Sequence, residues 1–378
     1  MQQAVLLDGC RSPIGKGSEK GLYAGLRADD LAVQVLKALL GRLPLDPARL
    51  DDVLLGCVDQ HLEQGKNLAR QLVLLAGLPL TIPGATINRL CASSLTALQF
   101  AADGIRAGTC EMVLVGGVEH MGHVPMGAAV DYHPNLFEGA PFRWTQMGLT
   151  AEHLAERFGI GRVEQDAFAL ESHRRYHEAL EAGQFEGELV PITLPDGSLA
   201  TNDQGPRKST AEKLAELAPA FKDGGTVTAA NSSGVADGAC MAVACSATLA
   251  SALGIEPLAR ITATVNIGVE PEAMGLGPVP AIRGLLEKTG LALGDIDLFE
   301  INEAFAVQVL ACQRQLGIPS DRLNVRGGAV ALGHPLGMSG LRIALSLART
   351  LRQRGAKHGI ASLCVGHGQG VAMLLERD

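Results

Sequence analysis

Aromatic residues are scarce in this chain, at 3% of 378 positions, with a single Trp and three Tyr. A core so poor in rings has to be filled by Ala, Val, Leu and Gly, and the 46 glycines allow backbones to approach closely. Long apolar runs are also missing. No stretch reaches the roughly 18–20 consecutive apolar residues of a membrane-spanning helix. The start, MQQAVLLDGC, lacks a basic segment followed by an apolar one, and the end, LLERD, carries no prenylation box or peroxisomal tripeptide. Basic residues are in deficit. The net charge of −8 argues against a general nucleic-acid binder, though not against a small anionic ligand held locally. A cytoplasmic protein with no nucleic-acid partner and no membrane span is expected. None of the eight cysteines stands in a C-x-x-C pair, which excludes a zinc ribbon, and cytoplasmic cysteines stay mostly reduced. Cys10, Cys57, Cys110, Cys240, Cys245 and Cys312 read as small core hydrophobes.

Two stretches of the chain share one plan. Leu31 to Cys57 reads as helix, acidic turn and buried strand, and Ala281 to Asn302 reads the same way. Thr86 to Gly108 gives a strand end and a helix of small residues. Its counterpart, Leu323 to Gly355, gives a strand, a glycine-rich turn and a helix. Apolar strands follow each: EMVLVGGVEH (Glu111 to His120) and HGIASLCVGHGQGVAMLLE (His358 to Glu376). Alternating strands and helices predict α/β layers, built from a duplicated βαβ-type unit whose strands are buried on both faces. Between the copies lies a more polar region that holds five of the ten histidines and the only Trp. Its helices carry Phe168, Ser172 and Tyr176 about one turn apart. It reads as an insertion folded over the core. The predicted division is 1–120 with 225–252 as one half, 121–224 as the inserted loop domain, and 253–378 as the other half.

Several motifs do not survive inspection. GCRSPIGK resembles a P-loop, but its glycines are one residue too far apart and Gly17 stands where Ser or Thr should hold magnesium. His120 with His123, and His173 with His177, have metal-pair spacing. No third ligand completes either, so they read as surface or loop histidines and no metal is expected.

Cys91 is a sharper case. It follows a strand end and opens the helix CASSLTALQFAADGI. A helix N-terminus favours negative charge and there eases a thiol toward its nucleophilic thiolate form. A core cysteine among small residues fits the same position, and position leaves both readings open. Cys364 lies at a strand end in LCVGHGQG, and His334 occupies a turn crowded with glycines, GGAVALGHPLGMSG. Such a run means left-handed backbone or close approach to a ligand, a catalytic group or a strand. If the two copies pack about a pseudo-dyad, Cys91, His334 and Cys364 converge as a Cys–His pair with a second thiol. Asn302, in INEAFAVQVLACQ, is either a helix cap or a group that holds a water or an oxyanion.

NRLCASSLTAL, NEAFA, GGAVALGHPLGMSG and CVGHGQG stand in the order of the thiolase family, and the chain resembles that family over its whole length. GGVEHMGHVPM is further similar to the degradative 3-ketoacyl-CoA thiolases of bacterial fatty-acid β-oxidation. The resemblance implies a layered α-β-α-β-α core and thiolytic cleavage of 3-ketoacyl-CoA by CoA, giving acetyl-CoA and a shortened acyl-CoA. CoA is then a substrate and no cofactor is needed. Biosynthetic formation of acetoacetyl-CoA and a non-catalytic acyl-CoA or lipid binder are the alternatives. The resemblance also implies roles. Cys91 becomes acylated, His334 is its base, and Asn302 fixes a water beside that ring. Cys364 moves a proton at the acetyl carbon, and the N–H groups of Cys91 and Gly366 form a second oxyanion hole. Ser246, Met147 and Met274 fall at positions resembling those that contact pantetheine or the short acyl group. Ala218 removes a cation usual near the CoA nucleotide, for which Arg207 or Lys208 could substitute. His367 departs from the Gly or aliphatic residue usual after the oxyanion-hole glycine. Family members form homodimers or homotetramers, and some join a hydratase/dehydrogenase subunit.

Overall fold

The computed structural model describes residues 2–377. In chain order the elements are β1 (Ala4–Arg11), β2 (Gly15–Lys16), α1 (Ala28–Gly41), β3 (Asp52–Gly56), α2 (Leu68–Ala76), β4 (Ala85–Ile87), α3 (Ser93–Ala107) and β5 (Met112–His120). Next come α4 (Met147–Phe158), α5 (Arg162–Glu181), β6 (Ile192–Thr193), β7 (Leu199–Ala200), α6 (Ala211–Ala215), β8 (Ala236–Ser246) and α7 (Ala247–Ala252). The rest are β9 (Ala259–Gly268), α8 (Pro278–Thr289), β10 (Leu298–Ile301), α9 (Ala306–Leu316), α10 (Ala329–Leu332), α11 (Leu336–Arg354), β11 (His358–Val365) and β12 (Gln369–Glu376).

The duplication is visible in the strand order, β10-β11-β12-β9-β1-β8-β5-β3-β4. Read outward from the β1/β9 seam, each side repeats the same pairings. In the first copy β1 is antiparallel to β8, β8 antiparallel to β5, and β5 parallel to β3. In the second, β9 is antiparallel to β12, β12 antiparallel to β11, and β11 parallel to β10. The seam itself is short, Val5 with Arg260 and Leu6 with Ala259. Where β3 also pairs with β4, β10 meets only an isolated bridge from Phe299 to Leu323. The strand expected at Leu323 is reduced to that bridge. At the C-terminal end the strand end expected at Cys364 is present, and the apolar run beyond it forms a second strand. The run breaks at Gly366–Gly368 into the β11–β12 hairpin, with His367 at φ 62 and Gly368 at φ 77.

Three apolar clusters define the layers. One packs α1 and α2 on one face of the first strand set, and another packs α8 and α9 on the outer face of the second. The largest lies between the strand sets and contains α3 and α11. The order is therefore α-β-α-β-α, as the thiolase resemblance implied. β5, β8 and nearly all of β11 and β12 are buried along their length, as strands covered on both faces must be.

The two central helices touch at backbone distance. A Cβ on Gly340 of α11 would lie 2.6 Å from Leu95 N of α3, and strand β5 meets α11 as closely, since a Cβ on Gly117 would lie 2.4 Å from Gly337 O. Only hydrogen fits at these positions. The glycines around His334 serve the same purpose. Gly327 faces the α5 backbone, Gly328 the Glu303 carboxyl, and Gly333, at φ 102, faces Ala236. Of the approaches left open above, packing against protein is the one they make.

The polar segment between β5 and β8 is tied down by buried charges. Arg11 of β1 binds Glu188 at 2.7 Å and Asp203 at 2.7 and 3.0 Å, and Arg326 also binds Glu188. Removing one partner of such a pair leaves an uncompensated buried charge, at a cost of about 3–5 kcal/mol. His120, His123, His173 and His177 were expected at the surface or in loops. Instead His120 is buried, its ring on Tyr23 O at 3.0 Å and stacked on His123, with centroids 3.9 Å apart. His173, also buried, accepts from the N–H of Arg207 at 3.2 Å. Among the described residues no helix is long and apolar enough to cross a membrane.

Candidate active site

The loop from β4 to α3 is a strained turn held by its own side chains. Leu90 sits at φ 46, a costly conformation for a branched side chain. Asn88 Oδ1 accepts from Leu90 N at 2.8 Å, and Ser93 Oγ accepts from Arg89 N at 2.9 Å and donates to Leu90 O at 2.6 Å. The turn delivers Cys91 to a cavity of about 550 Å³ at the junction of the two copies, which His334, Cys364, Met147 and Met274 also line. Four of the residues singled out in sequence thus meet the Cys91 thiol in one cavity.

His334 has a definite proton arrangement. The Ser339 hydroxyl donates to Pro335 O at 2.8 Å, so it accepts from His334 Nδ1–H at 2.6 Å. Nε2 is left as the basic nitrogen. Asn302 Nδ2 donates to it at 3.2 Å, while Asn302 Oδ1 faces the buried Arg342 at 3.4 Å. Asn302 therefore contacts the ring directly. Burial, helped by Arg342, pushes the His334 pKa down to about 3.

The thiol state differs from what helix position suggests. Burial raises the Cys91 pKa to about 11. The N–H groups of Gly366 and Cys91, both directed at the sulfur, pull it down less than burial pushes it up. Burial, with Cys91 nearby, also raises Cys364 well above the usual thiol range. All three groups are neutral at pH 7. Moving the Cys91 proton to His334 is therefore strongly uphill, because burial disfavours both the thiolate and the imidazolium. Alkylation of Cys91 by iodoacetamide is expected to be slow at pH 7 and to climb about tenfold per pH unit toward 11. A rate that levels off below pH 8, followed by mass spectrometry, would contradict this.

Other predicted site residues lie elsewhere. Ser246 does not line the cavity; it is buried at the end of β8, where its Oγ accepts from Leu249 N at 3.1 Å and caps α7. Ser232 and Ser233, in the NSSG stretch ahead of β8, line the cavity instead. Arg207 and Lys208 line a separate groove along α5 with His173 and His177.

Sequence reasoning also missed Ser339 and Arg342, although they stand three residues apart on the helix that follows His334, and it missed Glu119. The Glu119 carboxylate accepts from Val58 N, Asp59 N and Gly337 N at 2.9, 3.1 and 2.8 Å, and from Gln64 Nε2 at 3.0 Å. It thereby clamps the start of α11, three residues from His334, to the end of β5. Burial raises its pKa from 4.5 to about 7. A raised carboxyl stabilises the fold below its unfolded pKa, and that contribution is lost as pH rises through the folded one. The stability advantage of wild type over Glu119→Gln is therefore expected to shrink by about 3 kcal/mol between pH 4.5 and 7. Urea unfolding at several pH values checks this; an advantage that grows with pH would refute it.

Comparison with known proteins agrees with the geometry. Residues 4–248 match the thiolase N-terminal domain and residues 255–377 the thiolase C-terminal domain. The chain is 46% identical to 3-ketoacyl-CoA thiolases of Cronobacter sakazakii and Aliivibrio fischeri, with full coverage of both partners. Among solved structures, a Bacillus anthracis acetyl-CoA acetyltransferase superposes with a TM-score of 0.91 at 42% identity. Human mitochondrial 3-ketoacyl-CoA thiolase gives 0.91 at 38%. Both structural alignments cover 100% of this chain and 99% of the other. With both family domains matched end to end and full-length relatives at this identity, the chain belongs to the thiolase family.

Proposed function

We propose that the chain cleaves 3-ketoacyl-CoA thiolytically through an acyl-enzyme on Cys91. The carrying observation is the shared cavity, in which a thiol with two N–H donors aimed at its sulfur lies with a tautomerically fixed imidazole and a second buried thiol.

Cys91 Sγ adds to the ketone carbon as its proton passes to His334 Nε2. The carbon–carbon bond then breaks, its electron pair forming the enolate of acetyl-CoA, with the thioester oxygen held by His334 and Asn302. Cys364 gives its proton to the enolate carbon, and acetyl-CoA leaves. The Cys364 thiolate takes the proton of an incoming CoA thiol, whose sulfur attacks the acyl carbonyl. The N–H groups of Cys91 and Gly366 hold that oxyanion, and such a donor is worth about 3–4 kcal/mol. Cys91 departs and recovers its proton from His334. Every group returns to its starting state, and CoA is a substrate throughout.

Met147, Met274, Ser232 and Ser233 are assigned to the pantetheine and short acyl contacts because they line the cavity. Arg207 and Lys208 are assigned to the CoA nucleotide on charge alone. The division into halves 1–120 with 225–252 and 253–378, around a loop domain at 121–224, is supported by the mirrored strand pairings. A cytoplasmic homodimer or homotetramer fits the open edge of β4 and the exposed side chains Leu74, Leu80 and Phe100. Association with a β-oxidation hydratase/dehydrogenase subunit remains part of the proposal. The test is incubation with 3-ketoacyl-CoA and CoA, following acetyl-CoA. Its absence across four- to sixteen-carbon substrates overturns the reading.

A further inference from the structure

His367 has no place in the reaction just described, and its backbone lies at φ 62, a conformation that L side chains rarely adopt. Its ring nevertheless has specific partners. Trp144 meets it edge-on with centroids 5.1 Å apart and an interplanar angle of 70°, and Tyr132 does so at 5.7 Å and 72°. Tyr132 Oη also approaches His367 Nε2 at 3.4 Å. Phe137 joins the group, 5.2 Å from Trp144 and 5.9 Å from Tyr132, with the Arg143 guanidinium 4.7 Å above its ring. In a chain with 3% aromatics, this gathering sits at one junction, between the inserted segment and the turn that follows Cys364.

Both ends of the junction reach the cavity. Gly366, next to His367, directs its N–H at the Cys91 sulfur. Thr145, Gln146 and Met147, next to Trp144, form cavity wall, and Met147 Sδ lies 3.9 Å from where a Gly366 Cβ would be. Trp144 itself is buried. The rings therefore fix the distance between the oxyanion turn and the wall opposite it.

We propose that His367 is a specificity-determining residue, an aromatic clasp that holds the Thr145–Met147 wall against the tail of a medium- or long-chain acyl group. This rests on the thiolysis reading above. A four-carbon substrate meets this wall at Met147 alone, whereas a longer tail also runs along Thr145 and Gln146, so the clasp acts on chain length and not on the bond-breaking step. Edge-to-face pairs and a hydrophobic wall discriminate through contacts of this kind.

The test compares His367→Leu with His367→Phe, which bear the same backbone strain and differ in the ring. For His367→Leu, the ratio of kcat/KM for ten-carbon over four-carbon 3-ketoacyl-CoA is expected to fall roughly tenfold, with the loss in KM. Emission of the single Trp should shift to longer wavelength. His367→Phe is expected to keep both near wild type. A ratio within twofold of wild type for His367→Leu, or identical behaviour of the two variants, overturns the clasp while wild-type thiolysis still stands. If the wild type cleaves neither substrate, the thiolysis reading falls and the specificity role falls with it.

Discussion

Replacing Cys91 with alanine is expected to lower the rate of thiolysis by about 10⁴-fold or more, with substrate affinity little changed. The large effect follows from the lack of a substitute. The other thiol in the cavity, Cys364, belongs to β11 and is held well above the usual pKa range, so it is a proton donor at rest and a poor nucleophile. Direct attack by CoA would need the CoA thiol and the 3-ketoacyl-CoA thioester together in one cavity of about 550 Å³. The backbone N–H groups stay in place, and so do Met147 and Met274. Binding should therefore survive while the covalent path closes. Intact-mass measurement after exposure to 3-ketoacyl-CoA separates the cases. Wild type gains the acyl mass on Cys91 and the variant gains nothing. An undiminished rate in Cys91→Ala would end the acyl-enzyme account.

Cys364→Ala is expected to abolish exchange of the acetyl-CoA methyl protons with solvent deuterium and to slow thiolysis by about 10³-fold. Burial keeps the Cys364 proton on sulfur until an enolate develops beside it, which suits an acid that must protonate carbon. Cys91 and its two N–H donors are untouched by the change, so alkylation of Cys91 by iodoacetamide should proceed as in wild type. Deuterium incorporation read by mass spectrometry, with the alkylation rate as control, distinguishes a lost acid from a collapsed cavity. Exchange at the wild-type rate would remove Cys364 from the mechanism.

How far the sequence could be read depended on what each feature encodes. Buried strands such as Met112–Val118 are continuous apolar runs, so the alternation of strands and helices and the duplication were visible. The layered order followed only from the thiolase resemblance. Nothing local to β8 states that it lies antiparallel between β1 and β5, because that pairing forms across the whole inserted segment. The strand end at Cys364 was legible from its glycines, but the antiparallel return of β12 was not, because apolar residues continue on both sides of Gly366–Gly368. In the site, Cys91, His334 and Cys364 stood out as reactive groups at strand ends and turns. Their protonation did not. The helix N-terminus argued for an easily ionised Cys91, but burial governs it, and burial of one side chain depends on distant chain. Ser246 and Ser232 show the same limit: both are serines beside small residues, and only the fold decides which faces the cavity. His120 was read as a surface residue because its partners, Tyr23 and Asp237, are remote in sequence.

The contact of α3 with α11 at Leu95 and Gly340, and that of β5 with α11 at Gly117 and Gly337, hold the helix that follows Cys91 and the helix that follows His334 in place with no side chain between the packed backbones. A single methyl group at any of these glycines would wedge sulfur and imidazole apart while leaving both chemically intact. The enzyme is thus most vulnerable at residues that never meet its substrate, and a damaging variant there would look unremarkable in every inspection of the reacting groups themselves.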